Sequence, residues 1–127
     1  ALDTGRNRIF IPRLLLGDLV VLDGETLERV ARVPLDPGLR DVIYIPERNL
    51  VVAGNYFNGK LYILDGTSYR LLRTLWVGSK NRSLDYSPER GRLYAQAVSR
   101  ILEIDLDTVL APPFREHFGF SEEPPLE

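Results

Sequence analysis

The 127-residue sequence has no cysteine, no methionine and one histidine. Without cysteine there is no disulfide, no thiolate metal site and no cysteine nucleophile, although this says nothing about the compartment. The lone histidine, His117, lies among prolines near the C-terminus. It leaves no basis for a multi-histidine metal site or a Ser-His-Asp arrangement. Glycine patterns of phosphate-binding or dinucleotide-binding loops are missing too. Neither sign of charge prevails, with 16 Lys and Arg against 18 Asp and Glu for a net charge of −2. No electrostatic field therefore argues for nucleic acid or an anionic membrane. No apolar run approaches the roughly 18 residues of a membrane span, and the N-terminus lacks a signal-peptide pattern. The sequence reads as soluble, with no membrane insertion and no nucleic-acid partner. Ala1 in place of an initiator methionine reads as the product of processing or truncation.

What is present is a repeat. A shift of 42 residues superimposes Arg6-Asn7 on Arg48-Asn49, Gly17 on Gly59, Leu19 on Leu61, Leu22-Asp23-Gly24 on Leu64-Asp65-Gly66, and Arg40 on Arg82. The same shift carries Tyr44, Pro46, Glu47 and Arg48 onto Tyr86, Pro88, Glu89 and Arg90. A loop two residues shorter then brings Asp65 onto Asp105. There are three copies, about 1–41, 42–83 and 84–110, the last incomplete. Residues 111–127 follow as a Pro- and Glu-rich tail, predicted to be irregular because Pro112-Pro113 cannot donate to a strand ladder. Its Phe114, Phe118 and Phe120 offer apolar area that either docks or stays solvated.

Each copy reads as four short strands, clearest in the middle one at 42–45, 50–53, 61–64 and 70–77. No helix-length periodic segment intervenes. The second and third strands are nearly all apolar, which a strand needs when both faces are covered. The fourth is mixed, as in Glu28-Arg29-Val30-Ala31-Arg32-Val33, and fits an outer strand partly in water. Four-stranded antiparallel sheets stacked face to face, dry inside and wet at the outermost strand, are the blades of a β-propeller. The predicted fold class is all-β, an incomplete propeller of 42-residue blades.

The segments Pro46-Glu47-Arg48-Asn49-Leu50-Val51-Val52-Ala53-Gly54-Asn55 and Gly59-Lys60-Leu61-Tyr62-Ile63-Leu64-Asp65-Gly66 resemble the YVTN-type propeller repeat. The resemblance covers nearly all of 1–110. The Tyr-Val-Thr-Asn-like strand end becomes Val-Ala-Gly-Asn in copy two, Ile-Pro-Arg-Leu in copy one and Ala-Gln-Ala-Val in copy three. The resemblance implies a propeller and an extracytoplasmic setting. It does not fix an activity, since related propellers include lactonases and lyases.

Asp23-Gly24 and Asp65-Gly66 are predicted tight turns, the Asp bonding a backbone N–H and the Gly supplying positive φ. Glu47-Arg48 and Glu89-Arg90 are predicted solvated turns. Asp3, Asp41 and Asp85 approach the channel but are a weak metal set, and no metal, cofactor or catalytic residue is assigned. Function is sought where the copies disagree, on the loops of one rim. There Asn55, Tyr56 and Asn58 combine amides with an aromatic ring, suited to stacking and bonding a ligand or, for the rings, to packing on a neighbouring blade. Arg40 and Arg82 share one register and, with Lys80, suit a small polar or anionic ligand; the alternative is a structural bond to loop carbonyls or Asp41.

The expected function is a non-catalytic binding or protein-interaction module that forms part of a larger propeller or assembly. The alternative is a piece of a lactonase-like or lyase-like enzyme. Under three blades leave apolar faces open, so the expected partners are further blades from the same or another chain.

Overall fold

A computed structural model describes residues 1–111. The first sheet runs β1 (Leu2–Asp3), β2 (Arg8–Arg13), β3 (Asp18–Asp23), β4 (Arg29–Pro34) in that spatial order. The second runs β5 (Leu39–Ile45), β6 (Leu50–Asn55), β7 (Lys60–Asp65), β8 (Leu71–Trp76). The third contains β9 (Ser83–Ser87), β10 (Arg92–Gln96) and β11 (Ile101–Asp105), followed by helix α1 (Leu106–Leu110). Neighbouring strands are antiparallel throughout.

Strand periodicity splits the middle sheet into two dry faces. Val51, Ala53, Tyr62 and Leu64 pack toward Phe10, Leu19 and Val21 of the first sheet. Leu50, Val52, Leu61 and Ile63 pack toward Leu84, Leu93, Ala95 and Ile104 of the third. Each fully buried aliphatic side chain in these two layers contributes about 1.5–3 kcal/mol. The unbroken apolar runs of β6 and β7 follow from this arrangement, since alternation between two cores leaves no position for water. Gly17 and Gly59 hold the same φ of +75° in equivalent loops, a region that favours glycine.

Two predicted turn roles need correction. Asp23 Oδ1 accepts from Glu25 N and Thr26 N, and Asp65 Oδ2 from Thr67 N and Ser68 N, as expected of a turn-forming Asp. Positive φ, however, falls on Leu27 and Tyr69, not on Gly24 and Gly66. These glycines are required because Asn7 and Asn49 press against them. A Cβ on Gly66 would overlap the Asn49 side-chain oxygen and stand 2.8 Å from its carbonyl oxygen.

In the third sheet Asp105 does something different with the same bond. Its carboxylate accepts from Asp107 N as the N-cap of α1, so the chain turns into a helix where the first two copies turn into a fourth strand. Leu106 and Val109 then bury themselves in the core between the second and third sheets.

Candidate functional site

The antiparallel order puts the β2–β3, β4–β5, β6–β7, β8–β9 and β10–β11 loops on one rim. Backbone bonds sew neighbours together there: Gly38 N donates to Leu14 O and Tyr56 N to Gly38 O, both at 2.7 Å, and Val98 N donates to Ser79 O at 3.1 Å. Asn55 is fully buried. Its Nδ2 donates to Asp36 O and Pro37 O, while Oδ1 accepts from Phe57 N and Asn58 N. It shapes the loop and turns no polar atom outward. Asn58 Nδ2 donates to Tyr62 Oη at 3.1 Å, and the Tyr62 hydroxyl donates to Asp36 Oδ2 at 2.5 Å. Burial, and then the Asp36 bond, push the Tyr62 phenol above its ordinary range, so it remains a proton donor.

Tyr56 is the member of that loop that reaches the surface with a partner. The Arg40 guanidinium lies 5.2 Å from its ring centroid. Arg82 and Lys80 are exposed on the same rim, and neither forms an ion pair with a described residue. Lys80 holds φ at +57°. Two rim residues escaped the sequence reading. Arg100 lies 5.4 Å from the Trp76 ring centroid, which adds a fourth cation; the lone tryptophan at a strand end was the available signal. Asn81, immediately before Arg82, is 1% exposed, and neither its Nδ2 nor its Oδ1 has a partner among the described residues.

The channel carboxylates are individually occupied. Asp3 accepts from the Arg6 backbone and guanidinium, Asp41 from Val42 N and Leu84 N, and Asp85 from Tyr86 N. The Asp41 to Leu84 bond, at 2.8 Å, ties the inner strand of the second sheet to the third. The described residues contain no group of three or more His, Cys, Asp or Glu placed to hold a metal ion. His117 and the three tail phenylalanines lie outside the described residues.

At the opposite rim Arg48 corrects its predicted role as a solvated turn residue. Its guanidinium bonds Asp107 at 2.5 Å and is half-buried between the second and third sheets. The Asp107 and then Tyr86 contacts raise its pKa further. Arg6, its counterpart 42 residues earlier, bonds Asp3, Tyr44, Asn49 and Thr67, joining the first sheet to the second. The repeated arginine is thus an inter-sheet clamp.

No family model matches the chain, and no curated protein does. Solved structures do. Hydrazine synthase from Kuenenia stuttgartiensis matches with a TM-score of 0.77 at 14% identity, over 84% of this chain and 31% of that one. Dihydro-heme d1 dehydrogenase NirN in complex with DHE gives 0.69 at 18%, over 83% and 23%, and BamB from Moraxella catarrhalis gives 0.64 at 18%, over 76% and 28%. These neighbours are β-propellers. The sheets of this chain are propeller blades. At such identities the likeness shows the fold alone, and the chain spans less than a third of each neighbour's length.

Blade register identifies what the two outer faces are. Leu2, Ile9, Ile11, Val20 and Leu22 lie together on the far face of the first blade. The last four stand 42 residues before Val51, Ala53, Tyr62 and Leu64, which are buried in the second blade, yet Ile11 is 39% exposed. On the far face of the third blade Ile101 is 70% exposed, whereas its counterparts Leu19 and Leu61 are fully buried. Asp18 crowns the first of these faces. Arg13 grips its carboxylate through two bonds of 2.6 Å and Arg32 through one, which lowers its pKa to about 2.

Proposed function

We propose that this chain is a non-catalytic binding and protein-interaction module, a segment of a larger propeller of the YVTN type that is completed by further blades of the same or another chain. The observation that carries this reading is the apolar far face of the first blade, where Ile9 and Leu22 are half-buried and Ile11 is exposed at register positions that are buried in the second blade. Contiguous apolar area of this kind marks an interaction surface. The exposed tip Leu14-Leu15-Leu16 extends it onto the rim. Light scattering and calorimetry on the 127-residue chain test the reading. Association beyond the 14.5 kDa monomer is expected. A monodisperse monomer with one cooperative unfolding transition overturns it.

The rim is the ligand-recognising part of the module. Arg40 stacked on Tyr56, together with Lys80 and Arg82, offers exposed cationic donors to a small polar or anionic ligand. Titration with citrate and inorganic phosphate, repeated on Arg40→Gln and Arg82→Gln, checks this. Near-normal melting with weaker and less salt-sensitive binding is the expected result. Lost stability with or without the anion would assign these arginines to the scaffold instead.

A further inference from the structure

The net charge of −2 is divided unevenly between the two rims. On the rim formed by the β2–β3, β6–β7 and β10–β11 loops, Arg40, Lys80, Arg82 and Arg100 are exposed, and none forms an ion pair with a described residue. The aspartates there are already engaged: Asp18 by Arg13 and Arg32, Asp36 by the Tyr62 hydroxyl, and Asp41 by the Val42 and Leu84 N–H groups. Glutamates lie elsewhere among the described residues, with Glu25, Glu28, Glu47 and Glu89 in loops of the opposite rim and Glu103 in the middle of β11. One rim is therefore cationic on a chain that is slightly acidic as a whole.

The same loops end in exposed apolar side chains. Leu15 is 78% exposed, Phe57 59% and Val98 60%, one from each blade, with Leu14 and Leu16 beside the first. Leu15 and Phe57 are repeat counterparts, and a blade repeat sets equivalent tips at one height. Backbone bonds from Gly38 N to Leu14 O and from Tyr56 N to Gly38 O tie the first two tips together, and Val98 N to Ser79 O holds the third beside Lys80. Tyr56 and Trp76 are half-buried on this rim, each beneath a guanidinium. Such amphipathic rings suit the boundary between water and acyl chains. Separate apolar tips projecting from a cationic surface need a partner that yields around each of them. A lipid interface does so, whereas a rigid protein would need a concavity for every tip. Helix α1, the last described element, lies toward the opposite rim, where Asp107 bonds Arg48, and so stands away from the tips.

We propose that this rim docks on an anionic phospholipid surface, with Leu15, Phe57 and Val98 entering the headgroup boundary while Arg40, Lys80, Arg82 and Arg100 bond lipid phosphates. The docking is peripheral, since no described helix is long and apolar enough to cross a membrane. Apolar burial and attraction to anionic headgroups add in such contacts, and each basic side chain near the surface strengthens binding about fivefold. The inference rests on the reading of the rim as the ligand-recognising part and names its ligand as the headgroups of an assembled lipid surface.

The test is co-sedimentation of the 127-residue chain with vesicles of phosphatidylcholine, alone or with about one-third phosphatidylglycerol. Binding to the anionic vesicles is expected, weakening as salt rises, with little binding to the neutral ones. Trp76 is the only tryptophan, so its shielding from aqueous acrylamide on the vesicles reports contact at this rim. Leu15→Ser combined with Phe57→Ser should cut binding about tenfold or more, and Lys80→Gln and Arg82→Gln about fivefold each. All four side chains are exposed, and melting near the parent's separates lost docking from damage to the fold. Absence of binding to anionic vesicles, binding indifferent to the tip substitutions, or bound protein whose Trp76 stays fully quenchable overturns the proposal. So does binding abolished by Ile11→Lys and untouched by the tip variants, which would place the contact on the open blade face. Citrate or phosphate bound without any binding to vesicles would overturn this inference and leave the small-anion reading of the rim standing.

Discussion

Replacing Asn81 by leucine should stabilise the protein, against the usual cost of altering a buried position. Asn81 is buried between the second and third blades with both amide atoms unpartnered among the described residues. Its repeat counterpart, Leu39, is fully buried in the core between the first two blades. A buried polar group without a partner costs about 1–3 kcal/mol, and leucine removes that cost with the same branching at Cγ. The Asn81 side chain packs closely on Gly54, where a Cβ would lie 3.1 Å from Nδ2, so glycine at 54 is what accommodates a branched side chain at 81. The expected gain is therefore about 1–3 kcal/mol. At roughly 4 °C per kcal/mol for a chain of this size, calorimetry should show a rise of about 4–12 °C. Asn81→Ala should gain less, because the same relief is offset by a cavity. Parent and variants must be compared at equal concentration, since association shifts the melting temperature. A melting temperature unchanged or lowered by Asn81→Leu would mean that the amide is bonded in solution and the reasoning is wrong.

Gly66→Ala should destabilise by about 1–3 kcal/mol in urea titration, because the new methyl group meets the Asn49 backbone and side chain. Gly5→Ala is the control: its nearest contact is an ordinary 3.5 Å, so the change should stay within about 0.5 kcal/mol, and equal losses would refute the packing argument. Asp18 titrates lower in the folded protein, at about 2 against an ordinary 3.8, so its contribution is present above pH 4 and lost as pH falls toward 2. Asp18→Asn should melt lower than the parent at pH 7 and lose less between pH 4 and 2; parallel pH profiles would refute the ion triad's role. Arg6→Gln should lower the melting temperature by breaking the clamp to Tyr44, Asn49 and Thr67, whereas no change would class that network as surface decoration.

The sequence made the blades legible because two-sided burial leaves a plain signature in β6 and β7, and because a 42-residue identity such as Asp23 with Asp65 marks equivalent turns. It also marked Arg6 and Arg48, but a charged residue in a turn looks solvated until the next blade is placed against it. Gly24 and Gly66 show a related limit. A conserved spacing of Asp-Gly signals a turn, yet whether the glycine is needed for φ or for a neighbour's close approach depends on Asn7 and Asn49, which come from another loop. Asn55 looked available for a ligand because its burial arises from the inter-blade loop carrying Asp36 and Pro37, far from it in sequence.

Three departures from the repeat share an address. Asn81 replaces Leu39, Glu103 replaces Ile63, and Asp105 starts a helix where Asp23 and Asp65 lead to a fourth strand. All three fall on the third blade or its entrance, while the second blade keeps the pattern on both faces. Polar substitutions at register positions that pack elsewhere cost stability unless something compensates them. Glu103 is compensated within its own blade, where the Tyr94 hydroxyl donates to Oε2 at 2.8 Å and the Arg90 guanidinium lies 3.6 Å away. On the blade-face reading the first blade carries the surface that joins the segment to other blades. Ile11→Lys should then abolish association in light scattering, and association equal to the parent's would refute the blade-face reading.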